Sequence, residues 1–342
     1  MDYEEAVSRL WRHHGLEGAS DDHRSLLRYA AMAASSHNTQ PWKFSVGKER
    51  VTILPDLTRR CPEVDPDDHH LYASLGCAAA NLEEAASAAG MRAGTSFDES
   101  IPGVTVDLES GPAARSEMFE AIPSRQCTRT EYDGTAVSAD ELGRLEKAGS
   151  GSGVSVIILT GEDRKRQVAE LVAEGNAAQI GDSAWVDELK EWIRFNGKDA
   201  VSTGDGLYSK TMGNPDVPAW LGKLILRFAL TPGRQSAADR KGIMSSAGIA
   251  VFVSDADDRE HWVEAGRCYE RFALRATSLG IRNAFINQPV EVRKIRPQFA
   301  SWLGVGDKRP DLVVRFGRGP EMPRSLRRPL ARVIEGKVTA GV

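Results

Sequence analysis

Two glycine-bounded segments of this chain echo one another. Gly76-Cys77-Ala78-Ala79-Ala80-Asn81-Leu82-Glu83-Glu84-Ala85-Ala86 runs on to Gly90-Met91-Arg92. Gly266-Arg267-Cys268-Tyr269-Glu270-Arg271-Phe272-Ala273-Leu274-Arg275-Ala276 runs on to Gly280-Ile281-Arg282. Small and apolar residues recur on a helical period in both, and each helix stops at a glycine after the same interval. A strand pattern follows each, over 104–108 and 312–316. The segments upstream match as well. A helix over 24–34 leads through Ala34-Ser35-Ser36 to a strand over 43–47. A helix capped by Ser138, with Glu141 completing a capping box, leads through Gly149-Ser150-Gly151-Ser152-Gly153 to a strand over 154–159. The pattern predicts an α+β protein of two related tandem units, 1–112 and 113–342, the first abbreviated.

At 342 residues the chain is long enough for a large core. Its 44 basic and 48 acidic residues nearly balance, giving −4, and no Lys/Arg run dominates, so no nucleic-acid footprint is expected. Cys61, Cys77, Cys127 and Cys268 are scattered without a CxxC, which argues against a disulfide framework or structural zinc and suits a reducing cytoplasm. His69-His70 lies in a polar, acidic stretch and reads as a solvated loop, so no metal is expected. The acidic start lacks an apolar h-region, and no run approaches a membrane span, so a cytoplasmic protein is expected. The glycines at 149–153 precede a strand rather than follow one, unlike a dinucleotide fingerprint. No Ser–His–Asp or Cys–His spacing is recognisable.

The turn Ser35-Ser36-His37-Asn38-Thr39-Gln40-Pro41-Trp42 gathers short hydroxyl and amide side chains at a helix end. It can present donors and acceptors to something flat and polar-edged, or it can be a capped turn whose Trp42 fills core. It resembles the Ser-x-x-Asn-x-Gln-Pro-Trp turn of the nitroreductase superfamily, which lies against the isoalloxazine ring of FMN. That resemblance puts Ser35, Ser36, Asn38 and Gln40 at the ring. Arg125-Gln126-Cys127-Thr128-Arg129 places two guanidiniums four apart, able to converge on one oxyanion. It resembles the Arg-x-Ser-x-Arg element that holds the FMN phosphate in that family, with Cys127 where Ser or Thr is usual. Arg24 and Arg28 share the spacing but read as a solvated helix face. The resemblance also assigns Phe285, Ile286, Asn287 and Gln288, after Gly280, to the flavin's N5 side. Arg327 and Arg328 then return a late basic residue to the phosphate, or else form a solvated basic patch.

One unit thus keeps the ring turn and the other the phosphate clamp. This resembles the fused, Acg-like branch of the superfamily and implies a nitroreductase-like intramolecular pseudo-dimer with a single interfacial FMN. Residues 190–242 lack a counterpart in the first unit and are expected to form a lid carrying Tyr208 and Trp220. The implied activity is hydride transfer through flavin N5 from NAD(P)H to a nitroaromatic, quinone or other conjugated acceptor, with no catalytic side chain required. The alternatives are FMN storage under the lid and flavin-dependent dehydrogenation of a biosynthetic intermediate. Expected partners are small molecules, without nucleic acid or membrane, in a monomer or weak homodimer.

Overall fold

The computed structural model describes residues 1–16 and 18–335. Its frame is two four-stranded sheets. The first holds β1 (Trp42–Val46), β2 (Arg50–Pro55), β3 (Met91–Asp98) and β4 (Gly103–Ser110) in the order β1-β2-β4-β3. The second holds β5 (Val154–Leu159), β8 (Gly248–Ser254), β9 (Arg282–Phe285) and β10 (Arg309–Gly317) in the order β5-β8-β10-β9. Every pairing in both is antiparallel, and both arrange their strands as first, second, fourth, third. A short parallel ribbon, β6 (Ile193–Arg194) with β7 (Leu207–Tyr208), lies within the stretch expected to be a lid. The strands β8 and β10 are buried along their whole length; β8 accordingly reads as a near-continuous apolar run, while β10 carries the buried charges Arg309, Asp311 and Arg315.

Between the sheets the two echoed helices, His69–Ala88 and Arg259–Ser278, pack on one another. Their small residues let backbone approach backbone. A Cβ on Gly76 would stand 1.9 Å from the Val263 carbonyl oxygen, and one on Gly266 would stand 1.8 Å from that of Ala73. Each glycine therefore sits against the residue three places before the other. Around this seam runs one apolar cluster drawing on both sheets, with Leu26, Trp42, Phe44, Ile53, Leu82, Phe252, Tyr269, Phe272 and Phe316 all but inaccessible to solvent. A second cluster, built on Val168, Val172, Ile249, Val251, Phe299 and Val313, fills the other face of the second sheet.

The Ser138–Glu141 capping box forms as expected, at the start of helix Ala139–Ala148. Arg24 and Arg28 face solvent on helix Arg24–Ala30, also as expected. The histidine pair does not form a solvated loop. His69 and His70 are buried in the first turn of their helix, which Asp68 enters in the left-handed region (φ 62). The reason lies across the fold: His69 Nε2 is 2.9 Å from Oδ1 of Asp311, a fully buried carboxyl that Ser254 also bonds. Asp311 is pushed up to about 7, chiefly by burial. No helix among the described residues is long and apolar enough to cross a membrane.

Beyond β10 the chain crosses to the first sheet. Phe44 N–H donates to Val333 O (2.7 Å) and Glu335 N–H to Phe44 O (2.8 Å), so the C-terminal segment pairs alongside β1. That crossing carries residues 323–328 past the Ser35–Trp42 turn.

Candidate functional site

The turn at 35–42 is held in an uncommon shape. His37, Asn38 and Gln40 all have positive φ (47, 55 and 53°), a region that costs roughly 1–3 kcal/mol for each non-glycine residue and tends to persist at functional sites. Hydrogen bonds enforce it. Ser35 Oγ accepts from Gln40 N–H (3.0 Å). Gln40 Nε2 donates to Asn38 O (3.2 Å) and Gly204 O (2.9 Å), while its Oε1 accepts from Arg328 N–H (2.7 Å). Asn38 Nδ2 donates to Gly206 O and Leu326 O, and its Oδ1 accepts from Arg327. Both amides expected to face a ring are therefore spent on tying the turn to the inserted segment and the C-terminal segment. Gln40 is wholly buried. Trp42 fills core, the plainer of its two readings.

The turn overhangs a cleft with two connecting chambers. The larger, about 260 Å³, is lined by Ser35, Ser36, His37, His70, Ser74, Phe285, Asn287 and Gln288. The smaller, about 60 Å³, is lined by Asn38, Arg125, Cys127, Arg129, Arg324 and Arg327. Ala34, Ser35, Arg129, Leu207 and Phe285 border both, which joins them into one cleft. Residues 34–77 and 129–312 both contribute to its walls.

The four guanidiniums of the smaller chamber are not equivalent. Arg125, expected to clamp an anion, is buried against the fully buried Glu270 at 2.9 Å and also donates to Met32 O. Its charge is already matched. Arg129 is exposed and makes no ion pair among the described residues. Arg324 donates to Pro123 O (2.6 Å) and Ser124 O (3.2 Å), and Arg327 to Met32 O (2.9 Å) and Ala33 O (3.0 Å) as well as Asn38. Neither meets a carboxylate among the described residues. Burial, with Arg125 nearby, brings Arg327 down to about 9. Three positive charges thus line a small chamber without counter-ions. Arg324 is the one that sequence reasoning passed over; the basic run at 324–328 held the signal. Arg328 does not join them. It donates to Gln40 O and reaches Asp56 at 3.4 Å, because the crossing segment turns it to the far side of the turn.

On the second unit's side, Phe285 packs on Tyr269 with ring centroids 4.4 Å apart and faces the cleft. Ile286 does not. Its side chain belongs to the second core cluster and its N–H is taken by Val313 O (2.9 Å), since strand alternation turns it away from Phe285. Asn287 lines the cleft, but its Oδ1 accepts from Val313 N–H (2.8 Å). Gln288 Nε2 donates to Asn176 Oδ1 (3.1 Å), leaving Oε1 buried without a partner. Cys127 is half-buried and bridges to Asn283 through its backbone.

Other lining residues were not singled out from sequence. His37 Nδ1 is a second buried atom without a partner, and burial, His70 and Arg129 bring this imidazole down to about 4. His70 Nε2 lies 3.8 Å from Oε1 of Glu291, whose carboxyl burial pushes up. The residues expected to form the lid are elsewhere. Trp220 is 70% exposed on helix Ala219–Ala229, because that helix turns Gly222 inward against Phe195. Tyr208 is buried away from the cleft, donating to Asp216 and packing on Tyr3. Trp185, Leu189, Leu207, Leu230 and Gln235 form that wall instead, two of them upstream of residue 190. Among the described residues, no group of three or more His, Cys, Asp or Glu side chains stands where it could hold a metal ion.

A long ligand with a polar-edged body and an anionic end fits this arrangement. The orphaned His37 Nδ1 and Gln288 Oε1 await partners in the larger chamber, and the uncompensated guanidiniums await an anion in the smaller.

No protein-family model matches the chain. Two proteins of Mycobacterium tuberculosis, one from strain CDC 1551 / Oshkosh and one from strain H37Rv, each named "Putative NAD(P)H nitroreductase", are 25% identical to it over 325 residues, covering 91% of this chain and 90% of each relative. Among solved structures, a Bacteroides fragilis nitroreductase with bound FMN overlays with a TM-score of 0.38 at 15% identity, covering 66% of this chain and 98% of that one. The FMN-dependent nitroreductase NfnB of Mycobacterium smegmatis, in complex with NADPH, overlays with a TM-score of 0.43 at 11% identity, covering 65% and 98%. Along nine-tenths of its length, then, the chain is similar to two proteins that bear a nitroreductase name.

Proposed function

We propose that this chain is an FMN-dependent oxidoreductase of the nitroreductase kind, holding one flavin mononucleotide with its ring in the larger chamber and its phosphate in the smaller. The observation that carries this reading is the charge gradient along one cleft: guanidiniums and no carboxylate in the wall of the narrow end, and mostly neutral donors and acceptors at the wide end, where Glu291 is the one lining carboxyl among the described residues. Arg129, Arg324 and Arg327 would hold the phosphate, with Arg125 fixing the wall through Glu270. Ser35, Ser36, His37 and Gln288 would border the ring, and Phe285 would pack against it. The bound flavin supplies hydride chemistry at N5. The protein's part is to orient it. The mycobacterial relatives' names point to NAD(P)H as donor, with a nitroaromatic, quinone or other conjugated molecule as acceptor. Storage under an aromatic lid gains no support, since Trp220 is turned to solvent and Tyr208 lies outside the cleft.

The two units, 1–112 and 113–342, are read as a fused pseudo-dimer. Reciprocal glycine contacts of the kind seen across a two-fold interface support this, as do two sheets of equal strand order. If Gly76 corresponds to Gly266, then His70, Ala73, Ser74 and Cys77 correspond to Glu260, Val263, Glu264 and Arg267. The first four line the cleft, and the second four line a separate cavity with Thr95, Ser96 and Phe97. There, ion pairs occupy the wall: Arg267 with Glu83 (2.7 Å) and with Glu264, and Arg271 with Glu264 (3.1 Å). Such carboxylates repel a phosphate, so the counterpart cavity takes no flavin.

The test is flavin content and reduction. Purified protein should carry one FMN per chain, and anaerobic addition of NADH or NADPH should bleach the flavin absorbance. Two equivalents per chain would overturn the single-site reading; flavin that neither nucleotide bleaches would overturn the oxidoreductase reading. Arg129→Ala should weaken FMN binding by about 1–3 kcal/mol, the range for a hydrogen bond to a charged group.

A further inference from the structure

On the opposite side of the C-terminal segment lies a cavity of about 390 Å³ that the flavin reading does not use. It opens between helix Tyr3–Leu10, helix Arg24–Ala30, the end of helix Gly197–Thr203 and residues 326–332. Five arginines line it: Arg9, Arg28, Arg327, Arg328 and Arg332. No aspartate or glutamate among the described residues does. Its floor is apolar, from Ala6, Leu10, Ala31, Met32, Leu326 and Leu330. His14 is the remaining titratable side chain on the wall apart from the arginines, and burial lowers it, so it adds little charge near neutral pH.

We propose that this cavity binds a small amphipathic organic anion, a phosphate or carboxylate carried on an apolar body about the size of a naphthalene. The charge balance is the argument. Arg328 alone among the five reaches a carboxylate, Asp56 at 3.4 Å. Arg9 has only the Met1 sulfur at 3.8 Å, and Arg28 and Arg332 make no side-chain ion pair among the described residues. Like charges gathered over an apolar floor repel one another, and an anion offsets that repulsion while its body covers the floor. The size falls in the ordinary range of small-molecule sites. Because Arg327 borders both this cavity and the phosphate chamber, an anion here lowers the potential felt there. Binding at the two places is therefore antagonistic, and equally so in both directions. The site itself stands whether or not the cleft holds a flavin.

The probe is 1-naphthyl phosphate, titrated calorimetrically into protein with its flavin content as purified. Saturable one-to-one binding is expected, much tighter than that of inorganic phosphate. The exposed pair Arg9→Ala/Arg28→Ala, which leaves the cleft untouched, should weaken it about tenfold, from up to about 0.7 kcal/mol per exposed charge. Arg129→Ala should not weaken it. No saturable binding, equal affinity for inorganic phosphate, or loss in Arg129→Ala without loss in the double variant would each overturn the proposal.

Discussion

Arg125 and Arg129 illustrate what spacing can and cannot convey. Their separation places both guanidiniums at one chamber, and that was legible in the sequence. Which of them is free was not, because Glu270, which neutralises Arg125, arrives from the distant helix Arg259–Ser278. The two substitutions should therefore differ in kind. Arg125→Ala leaves a wholly buried carboxylate unpaired and should destabilise the protein by about 3–5 kcal/mol, read from chemical denaturation. Arg129→Ala should leave denaturation unchanged while flavin affinity falls. Equal effects on stability would refute the division of labour. His37 makes a second prediction. Its imidazole sits at about 4 in the fold against 6.5 when free. Between those values the unfolded chain binds more protons, so stability is full above 6.5 and declines as pH falls toward 4. In flavin-free protein, His37→Gln should flatten that decline by on the order of 2 kcal/mol. His69, lowered in the same direction, is common to both proteins and cancels. An unchanged pH profile would show that His37 is not held neutral.

Among elements, the helix pair is the part most openly written in the sequence. Recurrent small residues and matched glycine stops predicted both helices, and the strands expected at 154–159, 104–108 and 312–316 all form. The sequence did not reveal that the same small residues serve contact between helices. That contact makes two glycines unlike a third. Gly76→Ala would drive a Cβ into the Val263 carbonyl, and neither backbone can yield without parting the helices, so a loss of about 1–3 kcal/mol is expected on urea denaturation. Gly143, exposed within helix Ala139–Ala148 with nothing within 4 Å of an added Cβ, should instead gain about 0.5–1 kcal/mol as alanine. If both substitutions were neutral, the seam would be looser than described. The inserted segment was less legible. Trp220, expected on a lid over the cleft, lies on helix Ala219–Ala229 but is turned to solvent. Gly222, fitting against Phe195, sets that orientation, and a single small residue within an apolar run is a faint signal.

For the whole molecule, the shared cluster matters most. Leu26, Trp42 and Phe44 from the first unit and Phe252, Tyr269 and Phe316 from the second belong to one apolar body, so the first unit has no private core to retreat to. Despite its length, the chain should unfold in one transition seen alike by fluorescence and far-UV circular dichroism, and a 1–112 fragment should not fold alone. Two separated transitions would contradict this. The strapping of residues 323–328 across the Ser35–Trp42 turn has a temporal consequence. Arg324 and Arg327 leave the ribosome after nearly everything else described, while the turn they complete was made some three hundred residues earlier. A nascent chain therefore cannot close its anion chamber until residues 324–327 have emerged, and loading lags far behind the making of the turn.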